Sequence, residues 1–191
     1  MPKRISVRGA IISNDVAWIY ELFDIEHTSP QMVMEQIEDA NGDDLEVIIN
    51  SGGGEVYAAS EIYTELKSYT GTVETRVVGL AASAASVIAM AGDKVLIAPT
   101  AEIMIHNSSM GYHGDHRDMN KASEMLQNTD KTIANAYRLK SGMDEKELLD
   151  LMGKETWLTP QDALEKGLVD EIMFENEIKL TASASVSNLI P

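Results

Sequence analysis

The sequence predicts an α/β fold with a largely parallel sheet, and three observations predict it. Short apolar runs alternate with helix-patterned segments through the N-terminal half. Glycine-bearing turns follow the strand-like runs and precede the helical ones. The chain has 191 residues, 44% of them apolar and 24% charged, which is ordinary globular composition and enough to bury one core.

The elements follow in order. "ISVRGAII" (5–12) is strand-like and ends on "SND", a turn or cap. "DVAWIYELFDIEH" predicts a short helix, and "TSPQMVMEQIEDANG" a clearer one. There Ser29 is the cap, Pro30 lies in the first turn and Gly42 follows the end. "LEVIIN" (45–50) is a strand leading into "SGGGEV". From Val56, apolar positions at Ala59, Tyr63 and Leu66 mark a helix face. "GTVETRVVG" (71–79) predicts the next strand, and "GLAASAASVIAMAG" (79–92) a helix stopped by Gly92. "KVLIAPT" and "AEIMIHN" are two further strands, and "SSMGYHGDHRD" is a turn region.

A long helix is expected from about 117 to 141, with a stripe of Met119, Ala122, Leu126, Thr129, Ile133, Ala136 and Lys140. A stripe this narrow suits one partner, either the helix's own domain or another subunit. "MDEKELLDLMG" is a short helix, and "TWLTPQDALEKGLVDEI" gives a cap at Thr159, a helix and a final strand. Beyond Phe174 the residues are small and polar. A globular domain over 1–174 and a tail or linker over 175–191 are therefore expected.

Charge narrows the function. With 31 acidic and 15 basic residues the net charge is −16, which repels nucleic acid and anionic lipid. No apolar run reaches the roughly 20 residues of a membrane span, and the N-terminus lacks a secretory signal pattern. Cysteine is absent, so disulfides, thiolate metal sites and a thiol nucleophile are excluded. A cytoplasmic protein without cofactor or metal is the expectation.

Three features can carry chemistry. Ser83 follows a strand and a glycine and opens an alanine-rich helix, a setting that exposes a hydroxyl nucleophile. The alternative for Ser83 is a simple helix cap. Ser86, one turn further in, is expected to bond back to the helix backbone. Of the four histidines, His27, His113 and His116 read as surface residues. His106 ends the apolar "EIMI" strand, where sites form in parallel sheets, though a hydrogen-bonded strand-end histidine would look the same. In "NSGGGEV", Gly52, Gly53 and Gly54 link a strand to a helix and can cradle an anion. No Gly-Lys-Ser/Thr follows and Tyr57 breaks the dinucleotide pattern, so an oxyanion fits better than a phosphate.

Taken in order, these motifs resemble the Clp protease proteolytic subunits, the ClpP family of serine peptidases. The family's "INSPGG" stands here as "INSGGG", its "GQAAS" as "GLAAS" and its "MIHQP" as "MIHNS", while "WLTPQDALEKGLVDEI" is similar to its "FLSAPEAxxxGLVD" stretch. The resemblance implies a ClpP/crotonase-type βαβ superhelix with the long helix protruding as a handle. It makes Ser83 the nucleophile and His106 the general base, and it places the oxyanion donors at Gly53 and Ala84. The family's third triad member, an aspartate two residues before the aromatic, falls on Glu155 in "KETW", with Asp150 as the fallback. The implied substrate is a polypeptide and the implied assembly a ring of identical subunits, with the handle as the helix through which two rings meet. An ATPase partner stays open: four residues precede Ile5, too few for the family's axial loop. That short front, the "ETW" variant and the polar tail are similar to phage-encoded head-maturation proteases. Competing readings are a catalytically silent assembly scaffold, a crotonase-type acyl-CoA enzyme and a membrane-linked serine–lysine peptidase. The ordered serine and histidine motifs argue against the crotonase reading, and the membrane-linked peptidases usually bring a membrane anchor, for which this sequence shows no segment.

Overall fold

A computed structural model of the chain describes residues 1–175; residues 176–191, nearly all of the expected tail, lie outside the described residues. The element order is β1 (Lys3–Ile11), α1 (Ala17–Leu22), β2 (His27–Thr28), α2 (Pro30–Glu38), β3 (Leu45–Gly54), α3 (Val56–Ser68), β4 (Val73–Ala82), α4 (Ala84–Ala89), β5 (Lys94–Ile97), β6 (Glu102–Ile105), α5 (His116–Ser141), α6 (Glu145–Gly153), β7 (Thr156–Leu158), α7 (Pro160–Glu165) and β8 (Glu171–Ile172). A short 3-10 turn, Asn14–Val16, precedes α1.

The expected parallel α/β fold is present. The strands run β2-β1-β3-β4-β5-β8, and β6 continues beside the far end of β4. Every pairing is parallel except β6 with β7. The face bearing Ile5, Val7, Val47, Ile49, Val73 and Val77 is buried, with α4 packed over β3 and β4 and α3 packed against α4. The opposite face is polar, where Glu46 takes Arg4 at 2.8 Å and Arg76 at 2.6 Å. The strands thus alternate apolar and charged residues, a pattern usual for antiparallel sheets with one wet face.

Several bounds differ from the sequence reading, and each difference bears on the site. β3 continues through all three glycines to Gly54, and β4 continues through "GLAA" to Ala82. These residues have weak strand propensity, but they pair with β1 and β6: Ile11 opposes Gly54, and Ala82 opposes Met104. The helix expected over 79–92 is correspondingly shortened to Ala84–Ala89. β7 adds a strand the sequence did not suggest, pinned against β6.

The long helix α5 starts on a capping box from Asp115 and ends at Gly142, whose φ of 73° is the left-handed cap a glycine accepts. Its buried residues are Ala122, Asp130, Ile133, Ala134, Ala136 and Tyr137. Met119, at the head of the expected stripe, is exposed. The C-terminal half of α5 belongs to the core, while the N-terminal half projects with Ala122 alone buried. Of the capped helices, α2 bears out the sequence: the Ser29 hydroxyl accepts from the Met32 N–H and Pro30 opens the helix.

Candidate active site

β4, β6 and the glycine end of β3 converge on one place because their pairing shifts there. The Ser83 N–H continues the β4–β6 ladder by donating to Met104 O at 2.9 Å. The chain then turns sharply into α4. Ser83 takes φ 54° and ψ −125°, a conformation that costs a non-glycine residue of order 1–3 kcal/mol. The surrounding strands hold it there. Ser83 sits at the cap position of α4, yet its side chain makes no capping bond.

The hydroxyl points instead at His106. Ser83 Oγ lies 2.8 Å from His106 Nε2. His106 is half-buried at the end of β6, where the strand register carries it beside the elbow. Among the described residues this is the hydrogen bond the imidazole makes. Ala84 opens α4, so its N–H precedes any intrahelical acceptor and is available to an oxyanion.

Gly53 lies against the same elbow. A Cβ built on it would meet Ala82 O at 2.6 Å, Ser83 Cβ at 2.8 Å and Ala84 N at 3.0 Å, and its φ is 94°. Only glycine suits that position. Its N–H donates to Ser51 Oγ at 3.0 Å, while the Ser51 hydroxyl donates to Gly9 O at 2.7 Å. The loop that faces the elbow is therefore held by a buried serine that the sequence did not single out.

The acidic candidates are placed differently. Ile105 pairs with Thr156, so the antiparallel register sets Glu155 opposite His106, one step beyond the ladder. Glu155 has φ 50°, is exposed, and its side chain makes no hydrogen bond or ion pair among the described residues. Asp150 lies on the exposed face of α6, 3.5 Å from Lys146. The structure brings Ser83, His106, Gly53 and Ala84 together, and neither carboxylate makes a hydrogen bond to any of them.

The ends of three strands, β3, β4 and β6, thus bring the glycine, serine and histidine motifs to one place in the order of the chain. The family model for Clp protease matches residues 20–176. The chain belongs to the Clp protease family. It is similar to the ATP-dependent Clp protease proteolytic subunit of Deinococcus radiodurans, 35% identical over 133 residues, covering 68% of this chain and 65% of that subunit. The corresponding subunit of Ligilactobacillus salivarius is 36% identical, covering 68% of this chain and 67% of the relative. Proteolytic subunit 1 of Chlamydia abortus is 32% identical, covering 70% and 71%. The chain spans slightly less than two thirds of the length of the Deinococcus subunit.

Around this Clp-family elbow the structure adds residues the motifs did not mark. Ser86 Oγ donates to Ser83 O at 2.6 Å, bearing out the backbone bond expected of it, and also lies 2.7 Å from the hydroxyl of Tyr137. Asp130 accepts from both the N–H and the hydroxyl of Ser108, each at 2.7 Å, two residues past His106. These pairs lie 51 and 22 residues apart, so no local pattern could have shown them. His27, expected on the surface, is half-buried in β2 and its Nδ1 lies 2.8 Å from Ile25 O. His113 and His116 are exposed, as expected. Among the described residues no acid–histidine group could hold a metal ion, and no helix is long and apolar enough to cross a membrane.

Beside the serine and histidine a groove of about 510 Å³ opens between α3 and α5. Val56, Val87 and Ile133 line both the groove and the recess holding Ser83 and His106. The residues shared by the two are apolar, while Asn128, Thr132 and Asn135 of α5 add polar groups to the groove wall.

Proposed function

We propose that the protein is a serine endopeptidase working as an oligomer. The observation that carries this reading is the 2.8 Å bond between Ser83 Oγ and His106 Nε2 at a strained strand-to-helix elbow. A capping or packing serine has no need of that conformation.

His106 Nε2 takes the hydroxyl proton as Ser83 Oγ attacks the carbonyl carbon of a bound peptide. The carbonyl electron pair moves onto oxygen, facing the Ala84 N–H. Gly53 supplies the second donor by exchanging Ser51 Oγ for the oxyanion. Collapse breaks the C–N bond, and His106 gives the proton to the leaving amine. Water, deprotonated by His106, then cleaves the acyl ester and restores Ser83. Glu155 is the acid whose register favours orienting His106 through Nδ1–H. The apolar groove beside the nucleophile takes a substrate side chain.

Assembly into a ring, with the projecting half of α5 as the contact between two rings, belongs to the same proposal. The relatives are named ATP-dependent, so an ATPase partner comes to this chain as part of it. The polypeptide substrate can be trapped on a Ser83→Ala chain, and a capsid precursor in the trap would support a head-maturation role.

A fluorophosphonate probe tests the chemistry. Wild type and Ser86→Ala become labelled and Ser83→Ala does not. Label persisting in Ser83→Ala overturns the nucleophile, and a properly assembled wild type that never labels favours a silent scaffold.

A further inference from the structure

We propose that Tyr137 and Ser86 are positioning residues that aim the Ala84 N–H at the oxyanion; the inference rests on the endopeptidase reading above. Ser86 has one hydroxyl proton and gives it to Ser83 O, at 2.6 Å. The hydrogen bond between Ser86 Oγ and Tyr137 Oη, 2.7 Å long, must therefore have the tyrosine as donor. A directed chain results, from the Tyr137 hydroxyl to Ser86 Oγ to the carbonyl of Ser83.

That carbonyl and the Ala84 N–H belong to one planar trans peptide, so they point in opposite directions. Holding the oxygen inward fixes the N–H outward, toward the place where the oxyanion forms. The Ser86 N–H adds a second bond to the same oxygen at 3.0 Å. Each bond to the carbonyl also polarises the peptide and strengthens its N–H as a donor. The peptide needs such restraint because Ser83 sits at φ 54°, where local preference would rotate it away.

The surroundings suit a permanent relay. Ser86 and Tyr137 are essentially fully buried, at 0% and 1% exposure. Burial raises the Tyr137 hydroxyl well above the usual tyrosine range, so it stays protonated as a donor at every working pH. Tyr137 comes from α5, making the long helix a direct support of the nucleophile's elbow.

The experiment is steady-state hydrolysis of a small peptide ester by the assembled protein, with fluorophosphonate inactivation rates alongside. Tyr137→Phe, which removes one oxygen, lowers kcat and the inactivation rate about tenfold and leaves KM within about twofold, a fraction of the 10²–10³ lost with a whole oxyanion donor. Ser86→Ala lowers them at least as far. The double variant is no worse than Ser86→Ala, because Tyr137 acts only through Ser86.

Wild-type kcat in the folded Tyr137→Phe protein overturns the proposal. So does a loss that adds fully in the double variant, or a raised KM at unchanged kcat. Should Ser86→Ala fail to fold, Tyr137→Phe decides alone on kcat and KM. If wild type neither hydrolyses nor labels, the endopeptidase reading itself fails; labelling by wild type with unaffected variants defeats only the relay.

Discussion

Glu155 occupies a backbone position that suits glutamate poorly. At φ 50° a long side chain has no preferred place, whereas aspartate and asparagine enter the left-handed region more readily. The register puts the residue opposite His106, with an arm one methylene longer than an aspartate's. If Glu155 orients the imidazole, Glu155→Gln lowers kcat by at least about tenfold, short of the ~10⁴ lost with a fully buried triad acid. Glu155→Asp keeps or raises kcat and raises Tm slightly, because the backbone strain falls. Peptide hydrolysis and thermal melts of the two variants check both statements. An unchanged kcat in Glu155→Gln would remove the residue from the triad.

The elements that build the site are held by short polar devices. α7 begins with a capping box in which the Thr159 hydroxyl donates to Asp162 Oδ2 at 2.6 Å, and the Asp162 N–H returns a bond to Thr159 Oγ1 at 3.2 Å. Hydrogen bonds from the Thr159 side chain and backbone hold the Asp162 carboxyl below its ordinary range. A lowered folded-state pKa stabilises above the unfolded value, about 3.9, and the benefit disappears as pH falls through the folded one. Asp162→Asn therefore lowers Tm slightly at pH 7, and the gap to wild type closes as pH falls below about 4. Melting curves across that range check it; a gap independent of pH would mean the charge is irrelevant.

This cap was legible in "LTPQDALEKG" because Thr, Pro and the acid at the third helical position act locally. The order of strand ends was legible too, since "LEVIIN", "RVVG" and "EIMI" announce themselves by apolar runs. What stayed hidden depends on distant pairing. Gly54 and Ala82 become strand only because Ile11 and Met104 lie beside them. Likewise Ser86 reads as a small helix residue until Tyr137 arrives from α5.

At the scale of the whole molecule, three surfaces are unlike those of an isolated domain. The projecting half of α5 exposes Met119 and Met125, while Trp18 and Leu22 of α1 and Phe23 at its C-cap are also exposed. A third surface, the outer sheet face, carries the Arg4, Glu46, Arg76 and Glu74 ladder. Apolar side chains presented on a helix with little of its own core beneath it favour contact with another chain. Working against that contact, each copy carries a net charge of −16, so identical subunits repel at long range. Raising the salt shortens the screening length from about 30 Å at 0.01 M to about 8 Å at 0.15 M, which weakens the repulsion but not the apolar contact. The mass in solution should accordingly rise with salt as well as with protein concentration. Met119→Glu with Met125→Glu places carboxylates in the contact and shifts the population toward smaller species at every salt. Sedimentation or light scattering of the two proteins measures this directly. A wild type that stays monomeric at high concentration and high salt would overturn the assembly, and a double variant that assembles equally well would take the projecting half of α5 out of the contact.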